Sequence, residues 1–141
     1  HFGRWRRKVE NWALTDMLGS RVLAQWMLAE PESRLGYLRG LIEDEDLWSR
    51  RLALVVTCPI NRGHTGLTIP ELTLELIGLV KAERDPMITK AVSWALRELS
   101  KTHPGSVAAY VDRERETLAA HVVREVQNKL RTGLKSGKQR E

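Results

Sequence analysis

Five prolines punctuate this chain, and four of them stand where a helix is about to begin. Proline lacks the N–H that a first helical turn leaves unpaired anyway, and its fixed φ suits that turn. Pro31, Pro70, Pro86 and Pro104 each precede a run of apolar residues spaced three and four apart. No stretch alternates apolar and polar residues as a half-buried strand does. The chain is therefore predicted to be helical throughout.

In order, a first helix is expected from about Asn11, its N-cap, to Ala29. A second runs from Glu32 to Ile42. The acidic run Glu43-Asp44-Glu45-Asp46 ends it and opens a third, because carboxylates suit a helix N-terminus. That helix carries Leu47, Trp48, Leu52, Ala53, Val55 and Val56 and is expected to stop before Pro59. Residues Pro59 to Leu67 read as a loop containing Gly63 and Gly66. Thr68-Ile69-Pro70-Glu71 matches a capping box for a fourth helix reaching Glu83. Asp85-Pro86 opens a fifth, to about Thr102, with Ile88, Ala91, Val92, Ala95 and Leu99 as its buried stripe. Pro104 opens a short sixth through Val107 and Val111. A seventh covers Glu116 to Arg131 and closes at Gly133.

Seven helices of this length, joined by short turns, predict an all-α fold. Their pairing over 11–42, 44–83 and 85–114, with 116–131 closing, fits an α-solenoid of HEAT-like repeats. No sharp sequence repeat accompanies the pairing, so a compact helical bundle fits the same pattern. One helical-repeat domain is expected over residues 1–133, followed by a basic, disordered tail at 134–141. The opening on His1 rather than Met leads us to expect a preceding segment.

At 141 residues, 42% hydrophobic and 29% charged, the chain is long and apolar enough to bury one core. No apolar run approaches the roughly 18 residues of a membrane span. Cys58 is the sole cysteine and the four histidines are scattered, which leaves no disulfide framework and no metal-ligand spacing. No cofactor is expected, and a cytoplasmic, nucleoid-associated location fits. The net charge of +5 is unevenly placed. Arg4, Arg6, Arg7 and Lys8 open the chain, five cations against Glu141 occupy 129–141, and the middle carries a net charge of −3. Basic ends of this kind say little about a nucleic-acid surface.

More telling is what stands off the apolar stripes. In the first helix Leu14, Met17, Leu18 and Val22 form the expected core face, which places Trp12 and Asp16 nearly opposite it. Either a second layer covers that side or the side touches a ligand. The fifth helix repeats the oddity, with Lys90, Trp94, Arg97 and Lys101 opposite its stripe. Such a face reads as a phosphate- and sugar-binding surface, or as a half-buried Trp beneath long basic stems. Trp48 falls on the buried stripe and is expected in the core. Of Arg50 and Arg51, one must flank that stripe and the other must be exposed. Glu98 reads as a surface ion pair with Arg97, and Cys58 as a buried apolar residue rather than a nucleophile. No phosphate loop, GxSxG elbow or nucleophile–histidine arrangement is present.

Three blocks carry a resemblance. Asn11-Trp12-Ala13-Leu14-Thr15-Asp16, Leu47-Trp48-Ser49-Arg50-Arg51-Leu52-Ala53 and Thr89-Lys90-Ala91-Val92-Ser93-Trp94-Ala95-Leu96-Arg97-Glu98 resemble the AlkD-like DNA alkylation repair glycosylases, which are built from HEAT-like repeats. The blocks come in that family's order and near its spacing, Val123-Arg124-Glu125 continues the likeness, and the whole covers about 9–133.

The resemblance implies an enzyme that releases N3- and N7-alkylated purines, such as 3-methyladenine and 7-methylguanine, from double-stranded DNA. It implies Asp16 as the catalytic carboxylate. Trp12, Arg51 and Trp94 are implied to line the DNA surface, with Arg97 and Lys90 as weaker backbone contacts. Family members usually carry further helices before the Trp/Asp helix, where this chain begins. Two other readings fit the same residues. One is a non-catalytic DNA-binding module of this fold. The other is a protein-interaction scaffold whose off-core Trp residues meet a partner.

Overall fold

The computed structural model describes residues 12–63 and 66–133, with side chains from Gly19 onward. All regular elements among them are helices. They are α1 (Trp12–Ala29), α2 (Pro31–Arg34), α3 (Tyr37–Ile42), α4 (Leu47–Asn61), α5 (Pro70–Val80), α6 (Pro86–Ser100), α7 (Pro104–Glu114) and α8 (Ala120–Thr132). The Asn11 cap, the basic opening, the tail at 134–141 and the side chains of Trp12, Leu14, Asp16, Met17 and Leu18 lie outside the described residues.

The helices form two rows. One consists of α1, α4, α6 and α8, each packed on the next; the other holds α2–α3, α5 and α7 behind it. Side-chain bonds from one helix pair to the next join residues a near-constant distance apart in sequence. Arg39–Glu75 and Arg62–Glu98 are separated by 36 residues, Lys81–Glu114 and Arg84–Thr117 by 33, and Ser93–Glu125 by 32. That constancy is the signature of a helical-repeat solenoid, with successive pairs docked in the same register.

Several starts and stops follow local chemistry. The side chains of Asp46 and Asp85 accept from the backbone N–H groups of Trp48 and Met87 at the openings of α4 and α6. Gly133 closes α8 in the left-handed region at φ 81°, where an L side chain is strained. Other expectations give way to tertiary contacts. The second expected helix is broken into α2 and α3, and α8 begins at Ala120 rather than Glu116. Helix α4 continues through Pro59 to Asn61. Asn61 is fully buried, accepting from Ile69 N and donating to Thr73 Oγ1, both at 2.8 Å. Those bonds and the buried Ile60 hold the turn that proline weakens. The capping box at Thr68 does not form; Ile69 is the N-cap of α5, without a side-chain bond, and Asn61 takes its N–H instead.

The core runs between the two rows and includes Met27, Leu54, Ile60, Leu76, Ile88, Leu96 and Leu99, all essentially inaccessible. Gly19 lets α1 approach α4 closely, since a Cβ there would lie 3.0 Å from Leu52 Cδ1. The expected stripe on α1 fails at its described end. Val22 is 63% exposed, while Ser20, Ala24 and Met27 are buried. Packing against α4 selects the buried face of α1, and Val22 is not part of it. Trp48, expected in the core, is half-buried in the first turn of α4. No helix among the described residues is long and apolar enough to cross a membrane.

Candidate nucleic-acid interface

The apolar stripe of α6 is buried along its length, with Ile88, Ala91, Val92, Ala95, Leu96 and Leu99 at 2% exposure or less. A 3.6-residue period then leaves one strip of the helix to solvent. On it stand Lys90 and, just past the helix end, Lys101, both exposed, with Trp94 and Arg97 half-buried between them. Trp94 packs its inner part against the core. The strip covers three turns, about 16 Å along the axis. The four residues expected to share a face do share one.

Arg97 is not a free-swinging cation. Its Nε donates to Ser93 Oγ at 3.1 Å, and Ser93 Oγ donates to Glu125 Oε1 of α8 at 2.6 Å. His121 Nδ1 lies 3.8 Å from the same carboxylate oxygen. The guanidinium is thereby oriented through the neighbouring helix.

Arg51 departs from expectation. It is 2% exposed, and its Nη1 donates to the Met87 carbonyl at 2.5 Å, bracing α4 against the start of α6. It has further interactions besides. Arg50 is half-buried and bonds Glu83 and the carbonyls of Asp44 and Glu45, so neither arginine of the pair is exposed. Glu98 is a second correction. It is 7% exposed and pairs with Arg62 and Lys101, not with Arg97, because its side chain lies in the seam between α4 and α6. Ser93, Glu98 and Glu125 were missed as participants. The available signal was their place beside the buried stripe, where an unpaired polar group is costly. Cys58 is fully buried, and burial pushes its thiol far above the usual range, which makes it inert as a nucleophile. Among the described residues no group of three or more His, Cys, Asp or Glu is placed to hold a metal.

Comparison with protein families matches the chain to the DNA alkylation repair enzyme family over residues 1–130. The chain belongs to that family. Comparison with curated proteins and with solved structures returns no match. As a DNA alkylation repair family member, the chain has a role in DNA repair and DNA as its substrate class. An indole set among three cations suits that substrate: cations meet phosphates, and a flat apolar ring meets sugar or base.

Proposed function

We propose that this chain is a DNA glycosylase that hydrolyses the N-glycosidic bond of cationic N3- and N7-alkylated purines in duplex DNA. The observation that carries the reading is the solvent-facing strip of α6, where Trp94 stands among Lys90, Arg97 and Lys101 in a DNA alkylation repair family member.

The chemistry asks little of the protein. An alkylated purine bears a positive charge and leaves without protonation. The C1′–N bond breaks, its electron pair neutralises the purine, and the sugar becomes oxocarbenium-like. Water adds to C1′ and its proton passes to solvent. Asp16, as a carboxylate, stabilises the sugar cation and orients the water. The faces of Trp12 and Trp94 hold the deoxyribose and add cation–π stabilisation. Lys90 and Arg97 hold backbone phosphates. Arg51, buried against the Met87 carbonyl, serves this reading by holding α4 to α6 beneath the DNA-facing strip rather than by meeting a phosphate.

The test is base release from methylated duplex DNA by wild type and by Asp16→Asn. The reading expects 3-methyladenine or 7-methylguanine from wild type and a large loss in the variant. Equal release by both overturns the mechanism. Salt-dependent binding without release identifies a non-catalytic module instead, and absence of DNA binding leaves the scaffold reading.

A further inference from the structure

Arg62 is the C-cap of α4, and Arg97 stands in the last turn of α6, four residues before its C-cap Lys101. Each is anchored through Nε. Arg62 Nε donates to Glu98 Oε2 at 3.5 Å, and Arg97 Nε donates to Ser93 Oγ at 3.1 Å. Each anchor leads to a carboxylate on the next helix of the same row, Glu98 on α6 directly and Glu125 on α8 through Ser93. Both arginines reach solvent: Arg62 is exposed and Arg97 half-buried. Among the described residues neither has a bonded Nη group. The second oxygen of Glu98 holds Lys101 Nζ at 3.2 Å.

A guanidinium held at Nε presents its two Nη groups as a fixed fork, the geometry that grips a phosphate through two parallel bonds. Holding it in advance removes the side-chain entropy that a surface arginine loses on binding. Helices packed side by side stand about 8–10 Å apart. That is the order of the spacing between neighbouring phosphates on one strand, so two such forks match phosphates about one step apart.

We infer that Arg62 and Arg97 form two backbone-phosphate forks on neighbouring helices, with Glu98 the positioning residue for Arg62 and Lys101. The inference rests on the DNA-binding part of the proposed function, and it extends the contact surface from α6 onto α4. It explains why a carboxylate is retained at 7% exposure beside a surface that meets a polyanion. Glu98 neutralises one charge but fixes two.

The test is the affinity of the full chain for a fluorescent duplex between 50 and 200 mM salt, with Arg62→Ala, Arg62→Lys, Glu98→Gln and, as a control, Arg113→Ala on α7. Thermal melts verify folding. Loss of one phosphate contact lowers the slope of log affinity against log salt by about 0.9. Wild-type advantage over Arg62→Ala then shrinks about 3.5-fold across that range. Arg62→Lys should keep the slope yet bind more weakly, and Arg113→Ala should match wild type. Glu98→Gln separates positioning from charge. If Glu98 merely offsets positive charge, its loss tightens binding; if it positions the cations, its loss weakens binding.

Wild-type binding with Arg62→Ala unchanged in affinity and slope overturns this inference and leaves the proposed function standing. Tighter binding by Glu98→Gln overturns the positioning role. A wild type that does not bind DNA overturns both readings.

Discussion

Arg51 Nη1 sits 2.5 Å from the carbonyl oxygen of Met87, tying the second turn of α4 to the first turn of α6 with almost no exposure to water. Met87 is seven residues before Trp94, so this bond sets how α6 presents its solvent strip. A hydrogen bond from a buried charged donor contributes about 1.5–3 kcal/mol. Arg51→Ala is expected to cost stability on that scale as well as activity. Denaturant unfolding beside base-release assays tests this. Full stability with lost activity would show that Arg51 acts on DNA alone.

Asn61 is the knot between α4, the following loop and α5. Its side chain satisfies Ile69 N and Thr73 Oγ1, and its carbonyl accepts from Thr102 Oγ1 at 3.2 Å. Asn61→Ala leaves a buried N–H without its partner, an expected loss of about 2–3 kcal/mol. Chemical denaturation measures it, and a loss below half a kcal/mol refutes the assignment.

Between α5 and α7 the tie is electrostatic. A hydrogen bond from Lys81 to Glu114 at 2.5 Å holds the Glu114 carboxyl below the usual carboxylate range. A lowered folded value means the unfolded chain takes up the proton first as pH falls. The contribution of Glu114 is therefore complete above the unfolded value of about 4.3 and is lost as pH drops through the lowered folded one. Glu114→Gln is expected to be less stable than wild type at pH 7, with the gap closing towards pH 3. Parallel stability curves across that range would exclude the linkage.

Tyr110 carries a cost. Its hydroxyl is buried with no hydrogen-bond partner among the described residues, and burial first, then the Glu114 charge, pushes it up to about 12. The ring itself is well used, with the Arg113 guanidinium 5.3 Å from its centroid. Tyr110→Phe keeps the ring and removes the orphaned group. Its melting temperature should equal or exceed that of wild type, by up to about 1 kcal/mol in stability. A clear loss would reveal a bond to the hydroxyl.

What the chain declares by itself is local. Asp46 and Asp85 as caps, Gly133 as a stop, and prolines at four helix starts depend on backbone groups within a few residues, so they are legible in one dimension. The α6 strip is legible for a related reason. Its stripe is long and regular, and one buried face fixes the opposite one. Long-range contacts decided the rest. Helix α4 runs through Pro59 because Asn61 is bonded to α5. Val22 faces solvent because the position of α4 selects another face of α1. Glu98 is a buried strut because Arg62, 36 positions away, meets it across a helix seam. Periodicity says that a helix has a face to bury; only the neighbours that arrive in three dimensions determine which face it is and which polar groups the seam can satisfy.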